Sequence, residues 1–292
     1  MKPPSFDYVA PRTIGEVVAL LQHHAGDAKI LAGGQSLMPL LNMRFARPSL
    51  LIDLSKLPDL DYVREADGML AVGALIRQRA LERSPLVKKR QPLIDAALRF
   101  VSHPQIRNRG TVCGSLAHAD PAAELPALAT ALEAQFVATG PQGTRTIAAS
   151  DFFVTIMTTA LEPAEMLTEV RFPVLPDRTG WSCLEVTRRH GDFALAGAAV
   201  TVTLDGAGKC AAARIALFGV GYTPLRARAA EQALVGEKPD DQVLERAAAK
   251  ARAQVTDAVS DVHASREYRQ YLAGVVTRRT LAEAAQRAGG GR

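Results

Sequence analysis

The spacing of apolar and polar residues predicts alternating strands and helices in the front part of the chain. Thr13 and Glu16 have the spacing of a capping box, and an apolar stripe at helical spacing follows in TIGEVVALLQHHAG. A buried strand is predicted in AKILAGG, a short helical turn in SLMPLLNMRF and another strand in SLLIDLSKL. This β–loop–α–β order is typical of a small α/β unit.

A second unit begins with the predicted strand GMLAVGAL. Helical sequence follows it up to a break at His103-Pro104. The stretch RNRGTVCGSLAHADPAAELPALATALEA is predicted as a glycine-containing loop that leads into a helix. A hairpin is predicted in AQFVATGPQGTRTIAAS and one more strand in EMLTEVRFPV.

Beyond a predicted linker at Pro173 and Pro176, the pattern changes. Three successive strands are predicted in WSCLEVTRR, FALAGAAVTVTLD and AARIALFGVG, and the remainder is rich in Ala and Arg and predicted to be helical. The predicted fold class is therefore α+β, with a front domain of residues 1–176, a C-terminal domain of residues 177–287 and a disordered tail of residues 288–292.

Composition narrows the function classes. The 292 residues include 35 Lys and Arg against 30 Asp and Glu, only 5% are aromatic, and no dense basic run is present, so nucleic acid is not an expected partner. No secretory signal and no apolar run of about 18 residues is present, so no membrane span is expected. The three scattered cysteines fit no disulfide framework, zinc site or iron–sulfur site, and a reduced, cytoplasmic protein is expected.

Two glycine-containing stretches carry the candidate chemistry. In AGGQS, Gly33 and Gly34 can adopt positive φ and have no Cβ, so that successive N–H groups can converge on a phosphate. Ser36 adds a hydroxyl, and the following helical turn adds free N–H groups. The stretch is neither a P-loop nor a GxGxxG fingerprint, and a plain strand-to-helix turn is the alternative reading.

The second stretch, GTVCGSLAHADPAAE, spans residues 110–124 and again places glycines and hydroxyls before a helix. Two such loops predict a long ligand with two polar parts, such as a dinucleotide. His118 and Asp120 could share one side of an extended segment, but no nucleophile accompanies them. A structural or ligand-orienting role is therefore predicted for both, and neither a catalytic residue nor a metal ligand is predicted in the chain.

Together these stretches resemble the FAD-binding medium subunit of molybdenum hydroxylases, the carbon monoxide dehydrogenase and xanthine dehydrogenase relatives. The resemblance continues through RRHGDFALAG and ASREYRQYLAGVVTRRTL and so covers nearly the whole chain. It implies an FAD-binding domain of two subdomains, residues 1–57 and 58–176, of the PCMH or vanillyl-alcohol-oxidase-like type. It also implies a C-terminal three-stranded antiparallel sheet with helices.

By this resemblance, FAD would lie between the two subdomains. The backbone of residues 32–37 would hold the pyrophosphate, the second stretch would form the other wall, and Glu124 would reach a flavin or ribityl hydroxyl. Leu167 would touch the flavin or adenine through its backbone, and Asp192 would approach from the C-terminal domain. The implied cofactor-binding residues are Ala32, Gly33, Gly34, Gln35, Ser36, Leu37, Thr111, Gly114, Ser115, His118, Asp120, Glu124, Leu167 and Asp192.

Two positions depart from the family pattern. Cys113 stands where relatives often have the first glycine of the second loop, which makes close backbone approach there less secure. Gln35 stands where a His is frequent, and in related stand-alone flavin oxidases a His at a similar place bonds covalently to the flavin. Noncovalent FAD is therefore expected.

The resemblance implies that different subunits carry the different cofactors. Molybdopterin and [2Fe-2S] clusters would belong to a large and a small partner subunit, in a dimer of heterotrimers, and FAD on this chain would pass their electrons to an external acceptor. A stand-alone FAD-dependent oxidase or reductase of the same fold is the alternative enzyme. A nucleotide-binding scaffold is the non-enzymatic alternative.

Overall fold

In the computed structural model, residues 2–24 and 26–290 are described. Strands and helices are numbered in chain order. The first unit is a three-stranded parallel sheet, with the middle strand contributed last by the chain, in the order β1-β3-β2. Its elements are β1 (Asp7–Val9), α1 (Ile14–His24), β2 (Ala28–Leu31), α2 (Leu37–Asn42) and β3 (Leu50–Asp53). Strand β1 was not predicted, because DYV is too short to show a period.

The predicted capping box at the start of α1 is present in a shifted form. Thr13 Oγ1 accepts from the Glu16 N–H at 3.2 Å, as predicted. The Glu16 carboxylate, however, accepts from the N–H of Arg12 at 2.7 Å, one residue before the expected partner. The helix start is therefore stabilised by both side chains, and Gly26, with φ of +93°, turns the chain beyond its end.

The second unit is a five-stranded antiparallel sheet of order β4-β5-β10-β6-β7. The predicted strands and hairpin are present, whereas β4 and the two-stranded ribbon β8–β9 were not predicted. Its strands are β4 (Val63–Ala66), β5 (Met69–Gly73), β6 (Gln135–Gly140), β7 (Gly143–Ala148), β8 (Phe153–Thr155), β9 (Thr158–Thr159) and β10 (Met166–Pro173). Its helices are α3 (Gln78–Arg83), α4 (Pro85–Arg90), α5 (Pro92–Leu98), α6 (Pro104–Arg107), α7 (Val112–His118), α8 (Glu124–Ala131) and α9 (Ala149–Phe152).

The C-terminal part is a four-stranded antiparallel sheet of order β11-β12-β13-β14 with helices against one face. The three predicted strands are present, and the two-residue β14 extends the edge beyond the prediction. The elements are β11 (Thr179–Val186), β12 (Ala196–Leu204), β13 (Cys210–Phe218), β14 (Leu225–Arg226), α10 (Arg228–Gln232), α11 (Asp241–Ala253) and α12 (Arg266–Ala288). Of the predicted disordered tail, Ala288 closes α12, and residues 291–292 lie outside the described residues.

The two faces of the C-terminal sheet contribute to different cores. Val200 and Val202 of β12 pack with α11 and α12. Cys183, Ala199 and Phe218 instead join the core that contains the helices of the second unit. The sheet is therefore packed directly onto α8 and α5. The subdomain and domain borders at residues 57 and 176 stay predictions.

Within the described ranges, no helix is both long and apolar enough to cross a membrane.

Candidate functional site

A cleft of about 1050 Å³ opens between the first two units, with one side reached by a C-terminal segment. Every residue of the sequence-predicted site lines it, so the structure brings the whole predicted set together. From the first unit these are Ala32, Gly33, Gly34, Gln35, Ser36 and Leu37. From the second they are Thr111, Gly114, Ser115, His118, Asp120, Glu124 and Leu167, and from the C-terminal part Asp192.

The first glycine loop joins β2 to α2 and offers open backbone donors. In the described residues, none of the N–H groups from Gly33 to Leu37 donates to another group of the chain. Ser36 is the N-cap of α2, but its hydroxyl makes no capping bond. Free N–H groups at a helix start suit an anionic ligand such as a phosphate.

Gly33 and Gly34 are required for different reasons. A Cβ on Gly33 would lie 2.5 Å from the carbonyl oxygen of Arg109, so this glycine permits close approach of the two loops. Gly34 has φ of +75°, which disfavours any side chain. A Cβ on Gly34 would meet Leu31 and Met38 at 3.3 Å, on the protein side of the loop.

The second predicted loop is largely a helix. Residues 112–118 form α7, because Thr111 caps it by accepting the Gly114 N–H at 3.1 Å. That N–H is thus not free for a ligand. A Cβ on Gly114 would lie 2.5 Å from Thr111 Oγ1, so the glycine is needed by the cap itself. The sequence reading missed the helix because two of its residues, Gly114 and Ser115, are weak helix formers.

Cys113 fits its position as a buried side chain. It is 3% exposed, and its Sγ faces the Val72 carbonyl oxygen at 4.0 Å. Burial, with a contribution from Glu169, raises the pKa of the thiol well above its usual value. The thiol replaces the expected glycine without projecting a reactive thiolate into the cleft.

His118 and Asp120 stand on either side of a helix end. Ala119 between them is left-handed, with φ of 52°, and closes α7. Asp120 Oδ1 accepts from the Ala122 N–H at 2.9 Å. Burial lowers the pKa of His118, and Asp120 opposes that shift. Asp120 therefore stabilises the turn that follows α7.

Glu124 is the buried acid of the cleft. It is the first residue of α8, it is 8% exposed, and burial raises its pKa to about 7. Leu167 is buried in β10, at an irregularity in the pairing of that strand with β6. Asp192 lies in an exposed turn, in which its N–H donates to the carbonyl oxygen of Arg189 at 3.1 Å.

Sequence reasoning missed several residues of the cleft. Lys29 and Arg47 bring positive charge to it, and Phe45, Met157 and Phe193 are unusually exposed apolar residues at it. Single apolar residues in loops follow no helical or strand period, so the apolar pattern of the sequence did not single these residues out. Within residues 2–24 and 26–290, no group of three or more His, Cys, Asp or Glu is arranged to hold a metal ion.

Comparison with protein families assigns both parts of the chain. Residues 4–175 match the FAD binding domain in molybdopterin dehydrogenase, and residues 182–284 match the CO dehydrogenase flavoprotein C-terminal domain. The 6-hydroxypseudooxynicotine dehydrogenase complex subunit alpha of Paenarthrobacter nicotinovorans is 45% identical, over 99% of this chain and 97% of that protein. The carbon monoxide dehydrogenase medium chain of Hydrogenophaga pseudoflava is 39% identical, over 96% of this chain and 97% of that protein.

Solved structures agree with the sequence comparison. The structure of carbon monoxide dehydrogenase from Hydrogenophaga pseudoflava that lacks the Mo-pyranopterin moiety gives a TM-score of 0.95 at 41% identity, covering 98% of this chain and 99% of that one. Quinoline 2-oxidoreductase from Pseudomonas putida 86 gives 0.94 at 40% identity, covering 99% of each chain. The predicted α+β fold class and the FAD cofactor are confirmed. The chain belongs to the family of FAD-binding medium subunits of the molybdenum hydroxylases.

Proposed function

We propose that this chain binds FAD noncovalently in the cleft, takes electrons from [2Fe-2S] clusters of a small partner subunit and passes them to an external acceptor. The observation that carries the proposal is the loop of open N–H groups from Gly33 to Leu37, facing a second wall at α7. FAD supplies the capacity to receive electrons and hand them on. The chain's own groups hold and orient it.

The residues of the cleft fit FAD by their chemistry. The free N–H groups and the α2 start match a diphosphate, and Lys29 and Arg47 add positive charge. The open hydroxyl of Ser36 and the Glu124 carboxyl are suited to hydroxyl groups of a ribityl chain. Gln35 donates to the Gly33 carbonyl oxygen at 3.1 Å and carries no ring nitrogen that could form a covalent flavin bond.

A large subunit with molybdopterin completes the proposed assembly, as a dimer of heterotrimers. The relatives support this, since their names describe a subunit of a dehydrogenase complex and a medium chain. Two arginines of the C-terminal part bind groups of this chain. Arg269 donates to the carbonyl oxygens of Leu195 and Gly219, both at 2.8 Å, and Arg226 binds Glu133 and Glu231.

The test is to express the chain alone and together with the proposed small and large partner subunits. Alone, we expect its flavin to be reduced by artificial donors but to support no substrate-dependent turnover. With both partners, it should co-purify in equal amounts, and substrate should bleach the flavin absorbance. An isolated chain that oxidises an organic substrate at an ordinary enzymatic rate would replace this proposal with the stand-alone FAD oxidase.

A further inference from the structure

The turn between β11 and β12, residues 187–195, is the segment of the C-terminal part that reaches the cleft. Gly191, Asp192 and Phe193 of this β11–β12 turn line the cleft, and Phe193 is 66% exposed. A Cβ on Gly191 would lie 2.6 Å from the ring of His103, so the tip of the turn packs closely against the second unit. The turn is therefore part of the cleft wall, although the strands that it joins belong to the C-terminal sheet.

The β11–β12 turn has few backbone hydrogen bonds of its own. Among the described residues, the Asp192 N–H donates to the carbonyl oxygen of Arg189 at 3.1 Å. At the base of the turn, the Leu195 N–H donates to the carbonyl oxygen of Val186 at 2.8 Å. A segment with so few local bonds keeps one conformation only when neighbouring elements hold it.

The side chain of Arg269 holds the end of this turn. Arg269 lies in the first turn of α12 and is 7% exposed. Its Nη1 donates to the carbonyl oxygens of Leu195 and Gly219, both at 2.8 Å. Its Nη2 donates to the carboxylate of Asp261 at 2.7 Å, which balances the buried charge. One guanidinium thus joins three segments of the chain, a task that suits the planar fork of Arg better than the single ammonium of Lys.

Gly219 connects Arg269 to the second wall of the cleft. Its φ is +72°, and a Cβ there would lie 2.7 Å from the carbonyl oxygen of Ala194, so its backbone packs directly against the β11–β12 turn. The Gly219 N–H donates to the carbonyl oxygen of Pro121 at 2.9 Å. Pro121 directly follows Asp120, which lines the cleft. Arg269 therefore fixes the turn relative to the wall that follows α7.

A second contact to the turn is weaker because it is exposed. Arg188 Nη1 lies 2.8 Å from His263 Nδ1, and both side chains are on the surface. A contact between two exposed side chains stabilises little, since water competes for both groups. Breaking the hydrogen bonds of a buried cation costs more, because its acceptors are left without partners. Arg269 is therefore the main anchor of the β11–β12 turn.

We propose that Arg269 is a positioning residue for the cofactor, which holds the β11–β12 turn at the cleft and so slows the release of FAD. The inference rests on the proposed function, since it takes FAD as the occupant of the cleft. Arg269 is not one of the residues that line the cleft, and it acts through the carbonyl oxygens of Leu195 and Gly219. A turn held in place keeps its contacts with the ligand and excludes water, whereas a turn that moves away opens a path for dissociation.

The experiment measures the rate at which the full-length chain releases FAD after dilution, followed by the fluorescence of the free flavin. Arg269→Met removes all three bonds, and we expect release to be faster by about tenfold or more, because affinity changes appear mainly in the dissociation rate. Arg269→Lys keeps the charge and should give a smaller increase. Arg278→Met is the matched control, since it removes ion pairs to Asp241 and Glu245 from the same helix and should leave the rate unchanged.

A spectroscopic measurement reports the turn directly. All three cysteines of the chain are buried, so Arg189→Cys introduces a single accessible thiol for a spin label on the β11–β12 turn. The label should move faster when Arg269→Met is combined with it. Gly180→Ala disturbs the packing of α12 near its other end. It should lower the melting temperature but change neither the label motion nor the release of FAD.

The outcomes separate positioning from stability. Wild-type FAD release in both Arg269→Met and Arg269→Lys overturns the inference, whether or not the melting temperature falls. Release that is accelerated equally by Gly180→Ala also overturns it, because lost stability would then explain the effect. A wild-type chain that holds no releasable FAD overturns the proposed function instead. If Arg269→Met fails to fold, FAD release and label motion in Arg269→Lys decide.

Discussion

At the scale of single residues, Gly34 provides a direct test of the first loop. Its φ of +75° is a strained value for a β-branched residue, so Gly34→Val should displace the open N–H groups and weaken FAD binding by about tenfold or more. The measurement is flavin retained after gel filtration. Gly208 has the same φ of +75° with open space around it, in the turn between β12 and β13. Gly208→Val should lose similar stability but keep its flavin, and full flavin in Gly34→Val would remove this loop from phosphate binding.

The second prediction at this scale is that the flavin is bound noncovalently. Gln35 has no nucleophilic ring nitrogen, and the buried Cys113 thiol has a raised pKa, so neither should bond to the flavin. Acid precipitation of the purified chain should leave all the yellow colour in the supernatant. Colour that stays with the pellet would show a covalent link, and peptide mapping of the pellet would then locate it.

At the scale of elements, the close contact between β11 and α12 depends on Gly180, which has no side chain. A Cβ on Gly180 would overlap the carbonyl oxygen of Ala284 and lie 2.5 Å from the N of Ala288. Gly180→Ala should therefore push the helix outward and lower the free energy of unfolding by about 1–3 kcal/mol. Gly206→Ala, at a turn position with open space, is the matched control. Equal melting temperatures for the two variants would show that α12 moves away from β11 without loss of stability.

At the scale of the whole molecule, the C-terminal sheet and the FAD-binding part share a core. Phe218 of β13 is fully buried in the core that also holds Phe136 of the second unit. Phe218→Ala should lower the free energy of unfolding by about 3–5 kcal/mol, and one cooperative transition should shift as a unit. Phe45 is 79% exposed, and Phe45→Ala should leave the melting temperature unchanged. Calorimetry that instead resolves a separate C-terminal transition would contradict a shared core.

Local sequence patterns were sufficient to predict those helices and strands that are stabilised by residues close together in the sequence. Helix α1 was predicted because an apolar stripe follows Thr13 and Glu16, and the β6–β7 hairpin because a Gly/Pro turn separates two β runs. The loop from Gly33 to Leu37 was predicted to hold a phosphate because a second stretch with glycines and hydroxyls, residues 110–124, accompanies it. The family likeness likewise lay in contiguous motifs, and the predicted site residues lie in short stretches of the chain apart from Leu167 and Asp192.

The tertiary structure alone decided the properties that depend on residues distant in the sequence. Residues 7–9 form strand β1 because they pair with β3. Three residues are too few to show an alternating apolar pattern in the sequence. Gly33 is needed because the carbonyl oxygen of Arg109, a residue far along the chain, lies against it. The raised pKa of Glu124 could not be read from the sequence, because its main cause is burial in the folded chain. Packing and desolvation act between residues that only folding brings together, and they set the chemistry of this cleft.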